Sequence, residues 1–444
     1  MSISPARVAA FDILLRVDQH DAYASELLHA PDYAKLSSAD HGLATELVMG
    51  VLRWRSMLDQ RLADKSSLKL SRLDPEVLTS LRLAAYQLFY LDRVPEHAAV
   101  HEGVELVKRA RKRSAVPFVN AVLRKLLSGS HGTAGAPIEQ SATVAGLVVS
   151  AAHPPWLVER WAAAFGLPVT RQICNYDQQI PPVCVALRDP AIAEELESQG
   201  VRLAPGSLLT SARCVIAGDL TGTQLFRDGK VAIQDEASQL VALLVGEGSR
   251  ILDCCAAPGG KTRLLAERNP EAAVVAVELH PHRARLLRKL VPARNVQVIT
   301  ADIRALPVAE PFDRVLVDVP CSGTGTLARN PEIKWRLRSE DIVDLKARQE
   351  AILQSALQRL APAGKLVYAT CSLEPEENQS VVESALSADS SLRLADIREQ
   401  LRQLCSRGEL AWKETDSLTS GRYLRTIPGM HPCDGFFAAI LQRI

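Results

Sequence analysis

Apolar residues recur every three to four positions in "ARVAAFDILLRV" (6–17), "LATELVMGVLRW" (43–54) and "PEVLTSLRLAAYQLFYL" (75–91). This spacing predicts helices throughout residues 1–128, an all-α domain. Asp74-Pro75-Glu76 predicts a helix start, with Asp74 as N-cap and Pro75 in the first turn. "SGSHGTAGAP" (128–137) breaks the pattern and reads as a linker. Residues 138–230 are mixed: "PPWLVERWAAAFG" has helical spacing, whereas "PPVCVALR" and "ARCVIAG" read as short strands, which predicts a small α+β unit. From 231 to 444 apolar strands alternate with helices. "RILDCCA", "AAVVAVEL", "VQVIT", "DRVLVDVP" and "GKLVYATCS" are apolar on both faces, so they predict a parallel sheet covered on both sides, an α/β domain. "DGFFAAILQRI" is expected as an added edge strand.

Composition narrows the function classes. Of 444 residues, 47% are apolar and 23% charged, which is ordinary for a soluble globular chain. The net charge is only +1, so a nucleic-acid partner must be met by a local patch, and 5% aromatics argues against long stacking platforms for single strands. "MSISPARVAAFDILLRV" lacks the continuous apolar core of a signal peptide, and no apolar run is long enough to span a bilayer. Nine cysteines contain no C-x-x-C pair. We therefore expect no disulfide framework, no zinc site and a reducing, cytoplasmic setting.

The turn from the first strand of this domain into a helix carries "ILDCCAAPGGKT". A Walker A loop would need glycine where Cys255 stands, and the dinucleotide pattern G-x-G-x-x-G is missing, which disfavours a dehydrogenase. A small adenosyl ligand without phosphates fits better. It needs a tight turn and an acid at the end of the second strand for the ribose hydroxyls; Glu278, closing "VVAVE", is that acid. Asp302, after "VQVIT", is placed to face the adenine. A solvated strand end is the plain alternative for each acid alone. Three sites in order on successive strands favour the ligand.

Five motifs then point to a family: "DCCAAPGGKT", "DVPCSGTG", "RNPEIKW", "YATCSLEPEEN" and "HPCDGFF". Residues 231–444 resemble the S-adenosylmethionine-dependent RNA cytosine-5 methyltransferases of the Nol1/Nop2/Sun family. Residues 1–128 are similar to the NusB-like RNA-binding domain of its bacterial RsmB (Sun/Fmu) branch. The resemblance implies a multidomain chain: an all-α NusB-like domain (1–128), a small α+β subdomain (138–230) and a Rossmann-like class I methyltransferase domain (231–444). It implies S-adenosylmethionine as cofactor, held by Cys255, Ala256, Ala257, Pro258, Gly259, Gly260, Lys261, Glu278, Asp302 and Asp318. It also implies 16S ribosomal RNA as substrate, at cytosine 967; we expect that RNA unassembled or in an early particle, and a monomer without metal. Cys254, Val319 and Glu278 depart from the commonest residues at their positions without removing a chemical group.

The chemistry asks for matching groups. C5 of cytosine becomes a carbon nucleophile when a thiolate adds at C6 and N3 is protonated; the C5 proton must later leave so that the thiol is expelled. Asp318, Cys321 and Cys371 lie at the ends of two predicted strands, each thiol beside small hydroxyl residues. Spacing alone does not say which thiol attacks. The resemblance makes Cys371 of "TCS" the nucleophile and Cys321 of "PCS" the release thiol, with Asp318 the acid. Cysteine after "DVP" also argues against amino-group methylation, where an aromatic residue usually stands.

For RNA, "VKRARKRSAVPFVNAVLRK" holds seven basic residues between Lys108 and Lys125 and no acid. A solvated helix face is the plain reading, but this is the largest basic concentration in a nearly neutral chain. Lys108, Arg109, Arg111, Lys112 and Arg113 are expected to bind phosphate, as are Arg329, Lys334 and Arg336 near the thiol loop. The rival readings are a transfer-RNA methyltransferase and a non-catalytic RNA-binding assembly factor; the intact thiols disfavour the latter.

Overall fold

A computed structural model describes residues 3–20, 22–33, 35–128, 138–187, 189–306 and 310–444. The chain divides into two compact units, residues 1–180 with 327–336, and residues 181–326 with 337–444. The linker expected at 128–137 lies outside the described residues from 129 onward.

The first unit is helical, with long helices at Pro5–His20, Ser38–Lys65, Pro75–Tyr90, Glu96–Arg109 and Val116–Ser128. Their apolar stripes close one core around Phe11, Leu47, Leu81 and Leu123, against which Trp335 also packs. The helix at Pro75 starts as its sequence predicts. Asp74 precedes it but makes no cap hydrogen bond; its carboxylate pairs with Lys112 at 3.0 Å instead. Residues 138–180 add the helices Val144–Ser150 and Pro155–Asp177, the second broken at Gly166. The segment 138–230 is divided between the units: the helices Val144–Ser150 and Pro155–Asp177 lie in the first, and the short strands with the helices Pro190–Ser198 and Gln224–Arg227 lie in the second.

In the second unit, β1 (Cys184–Ala186), β2 (Arg202–Pro205) and β3 (Ala212–Ala217) form an antiparallel sheet in the order β1-β3-β2. Cys184 and Cys214 face each other across β1 and β3 and are joined by a disulfide, which corrects the expectation against such pairing. The antiparallel register brings the two cysteines together, and a separation of 30 residues gives no sign of it.

The main sheet holds β4 (Arg250–Asp253), β5 (Ala273–Glu278), β6 (Val296–Thr300), β7 (Phe312–Asp318), β8 (Leu360–Thr370), β9 (Leu392–Leu394), β10 (Thr419–Ser420), β11 (Tyr423–Thr426) and β12 (Phe436–Arg443). Its order is β10-β11-β12-β8-β7-β4-β5-β6, with β9 against β12. Strands β4 to β8 pair in parallel, as their two-sided apolar runs require. Leu316 joins the core under the helices Glu236–Val245 and Ile397–Ser406, while Val315 and Val317 join the core under Asp341–Leu357. The expected edge strand is corrected: β12 lies between β8 and β11, antiparallel to both. Its run Phe436–Leu441 is buried on both faces, which an edge would not allow. The chain moves from β4 to β5 and β6 on one side, then to β7 and β8 on the other. The loops after β4 and β7 therefore flank the switch point, where such sheets bind ligands.

Candidate active site

The loop after β4 runs through Cys255–Gly260 into the helix Gly260–Arg268. Gly259 has φ +119°, and a Cβ there would come within 2.6 Å of Leu287 and 2.7 Å of Val291, so no other residue fits this turn. Glu278 ends β5 buried, with Oε1 accepting the His280 N–H at 2.8 Å. Asp302 is exposed to a lesser degree than a free surface acid and is held by Arg304 at 2.6 Å; that hydrogen bond pulls its carboxyl below the usual range. Lys261 reaches across to Asp318 at 2.7 Å. Burial works against the Lys261 charge, but Asp318 outweighs it and the amine stays protonated; Cys371 lies close enough to add to that effect. Burial pushes the Cys255 thiol far up, so it is a neutral lining group.

Beneath this loop lies Asp253, fully buried and accepting a hydrogen bond from Thr262 Oγ1 at 2.7 Å. Burial raises its carboxyl from 3.8 to about 6. The folded protein therefore holds this proton more tightly than the unfolded chain. Its contribution to stability is complete at low pH and is lost as pH rises through about 6. Asp253→Asn keeps an oxygen for Thr262 and carries no charge. We expect it to match the parent at pH 4 and to exceed it by about 2–3 kcal/mol at pH 7, as read from urea unfolding at the two pH values.

The two thiols meet. Cys321 Sγ stands 3.3 Å from Cys371 Sγ, at the ends of the neighbouring strands β7 and β8. The hydrogen bond to Cys371, together with burial, pushes the Cys321 thiol well up. Cys321 thus stays protonated, and the two sulfurs are within hydrogen-bond distance of each other. Their backbones are laced together: Gly325 N–H donates to the Cys371 carbonyl at 2.9 Å, and Gly435 N–H to the Gly325 carbonyl at 2.8 Å. A Cβ on Gly325 would collide with the Gly435 backbone, which gives "CSGTG" and "CDGFF" their glycines.

One residue that the sequence did not single out governs both loops. Glu377 is fully buried and accepts from Ser322 N at 2.8 Å, Ser322 Oγ at 2.5 Å, Ser372 Oγ at 2.5 Å and Gln349 Nε2 at 2.8 Å. Ser322 follows Cys321 and Ser372 follows Cys371, so a single carboxylate holds both thiol loops. "LEPEEN" contains three acids, two of them buried, and nothing in its spacing marks Glu377 as the one that ties the loops.

The RNA candidates all fall in the first unit. Lys108 pairs with Glu105 at 2.7 Å, Arg109 with Asp12 at 2.8 Å, and Lys112 with Asp74 and Glu76. Arg111 and Arg113 are exposed, as are Arg124 and Lys125 at the end of the same run, and none of the four has an ion pair among the described residues. Lys334 is a correction: it is 1% exposed and donates to the carbonyls of Arg53 at 2.9 Å and Ala152 at 3.3 Å, so it does not face phosphate. Burial lowers its amine to about 7, against the pull of Asp177. Arg329 is half-buried, and Arg336 lies half-buried over the Tyr23 ring.

Strand order, strand direction and the two loops at the switch point are together those of a Rossmann-like methyltransferase domain. Comparison with known proteins agrees. The profile of the 16S rRNA methyltransferase RsmB/F family matches residues 240–442, and that of the NusB family matches residues 4–128. A Bacillus subtilis protein described as a probable ribosomal RNA small subunit methyltransferase B is 32% identical over 462 residues, covering 100% of both chains. The Vibrio cholerae ribosomal RNA small subunit methyltransferase B is 31% identical over 99% of this chain and 98% of its own. Among solved structures, PH0851 superposes with a TM-score of 0.81 over 100% of both chains at 22% identity. NSun6 from Pyrococcus horikoshii, solved with SFG, gives 0.55 over 64% of this chain and 97% of its own, at 17% identity; both likenesses concern the fold. The chain belongs to the RsmB/F family of methyltransferases, with a NusB-family domain at its N-terminal end. It is an S-adenosylmethionine-dependent RNA methyltransferase.

Proposed function

We propose that the protein methylates C5 of a cytosine in 16S ribosomal RNA, at the position its branch of the family modifies, through a covalent Cys371–C6 adduct. The observation that carries this reading is the pair of thiols 3.3 Å apart at the ends of β7 and β8. S-adenosylmethionine supplies the methyl group. The residues present fit it: the Gly259 turn admits close approach, and Glu278 offers a buried acid at the end of β5. Cys255 to Lys261, Glu278, Asp302 and Asp318 are the residues we assign to holding it.

Cys371 adds to C6 as the thiolate while N3 takes a proton from the Asp318–Lys261 pair, Asp318 handing on the proton that the Lys261 ammonium gives it at 2.7 Å. C5 then bonds to the methyl carbon as the methyl–sulfonium bond breaks and its electron pair stays on the departing sulfur. A base passes the C5 proton to water, the C5–H electron pair expels Cys371 as the C6–S bond breaks, and N3 returns its proton to Asp318; the aromatic ring is restored with Cys321 beside the departing sulfur to assist. Because the C5 hydrogen leaves, RNA labelled with tritium at cytosine C5 is expected to release one tritium to water per methyl group transferred, with 5-methylcytidine as the product nucleoside. Methylation with retention of tritium would point to an exocyclic or ribose target instead.

The substrate is bound as free or early-assembling small-subunit RNA by a monomer in the cytoplasm, and no helix among the described residues is long and apolar enough to cross a membrane. Phosphate contact falls to the exposed Arg111 and Arg113, which have no ion pair among the described residues, rather than to their paired neighbours. The double substitution Arg111→Glu, Arg113→Glu is expected to weaken RNA binding about tenfold at physiological salt and to flatten its salt dependence. Lys108→Glu with Lys112→Glu, which disturbs internal pairs, should cost less in a filter-binding titration across salt.

A further inference from the structure

The chain leaves the second unit after Thr326 and re-enters it at Leu337. The residues between, Leu327 to Arg336, begin directly after the loop that carries Cys321, yet they are built into the helical unit. Their anchors are polar and buried. Glu332, 2% exposed, accepts the Ala24 N–H at 3.0 Å. Arg53 Nη2 donates to the Ala328 carbonyl at 3.0 Å. Lys334 donates to two carbonyls of the helical unit, and Trp335 Nε1 donates to the Leu52 carbonyl at 2.6 Å. The Trp335 ring itself packs on the helical core.

Burying a carboxylate and an ammonium is costly unless each is held by fitted partners, and such a site tolerates one arrangement of the chain. An RNA-touching segment would instead keep its cations in water. We propose that Glu332, Lys334 and Trp335 are positioning residues: they dock residues 327–336 on the helical unit and thereby fix the adjoining loop 320–326, with Cys321, for methyl transfer. On this reading the NusB-family domain is part of the device that sets the catalytic loop, beyond any part in holding RNA. The consequence for turnover rests on the thiol roles proposed above; the docking itself does not.

The test uses the full chain and hydrogen–deuterium exchange of the unliganded protein. Lys334→Met removes the amine while keeping length and packing. Peptides covering 320–326 are expected to exchange about tenfold faster, with the affinity for S-adenosylmethionine within about twofold of the parent. At saturating RNA, kcat should fall about tenfold while the RNA dissociation constant changes little. Faster exchange confined to 327–336, with 320–326 unchanged, overturns the proposal. So does a rise in RNA KM with kcat intact, which would make the segment an RNA-holding element. Should Lys334→Met not fold, Trp335→Phe deletes one hydrogen bond and keeps an aromatic ring. A smaller acceleration at 320–326 is then expected, and none overturns the proposal. Loss of the proposed thiol roles would leave the exchange result untouched, so the two readings fail separately.

Discussion

Cys371→Ala is expected to lower kcat by roughly 10⁴-fold or more, with the affinity for S-adenosylmethionine within about twofold. The nucleophile acts before any bond to the methyl group can form, so no partial reaction survives its loss. Cofactor affinity is spared because Cys371 follows β8, whereas the glycine turn follows β4 and Glu278 ends β5. Cys321→Ala should behave differently. It removes the thiol 3.3 Å from the Cys371 sulfur, and elimination rather than addition should stall. One methyl group per enzyme is then transferred in a single burst. Quench-flow with labelled S-adenosylmethionine separates the two outcomes: no burst for Cys371→Ala, a stoichiometric burst for Cys321→Ala. A normal multiple-turnover rate for Cys321→Ala would remove it from the mechanism.

The second large effect belongs to Glu377. Its carboxylate accepts four hydrogen bonds and offers none, which suits four donors arranged around it. Glu377→Gln keeps the size but introduces an amide N–H₂ that must point at a donor. One of the two serine loops then loses its partner. A buried unmet donor, or a donor set against a donor, costs about 2–4 kcal/mol, so the midpoint of urea unfolding should fall accordingly. Displacing either thiol by an ångström costs about 10²-fold in rate. The telling comparison is with Gln349→Leu, which removes one of the four donors and leaves both serine contacts. It is expected to lose less than a tenth as much activity as Glu377→Gln, because the thiol loops remain tied. Equal losses would mean that Glu377 acts through general stability alone.

The parallel sheet and the thiol pair were legible in the sequence for separate reasons. Strands such as "RVLVDV" are buried on both faces, and their composition alone states that. Cys321 and Cys371 lie 50 residues apart, but each ends a strand, and neighbouring parallel strands bring their ends together. What escaped was pairing that depends on register or on contacts between distant segments. β12 looks like an edge because it comes last, yet its alanines and phenylalanines fit only between two neighbours. Cys184 and Cys214 meet through an antiparallel register that no spacing records. The basic run 108–125 looked uniform, but three of its cations are neutralised by acids as far away in sequence as Asp12. Lys334 was misread for the same reason. A lysine beside a catalytic loop suggests phosphate, and only the carbonyls of Arg53 and Ala152 show that its charge is turned inward.

The central claim is that Cys371 forms the bond to RNA and Cys321 lets it go. The most direct measurement is a denaturing gel of Cys321→Ala and Cys371→Ala after incubation with small-subunit ribosomal RNA and S-adenosylmethionine. The expected result is a protein–RNA band that survives denaturation for Cys321→Ala and is missing for Cys371→Ala. A stable adduct formed by Cys371→Ala and none by Cys321→Ala would contradict the assignment and exchange the roles of the two thiols.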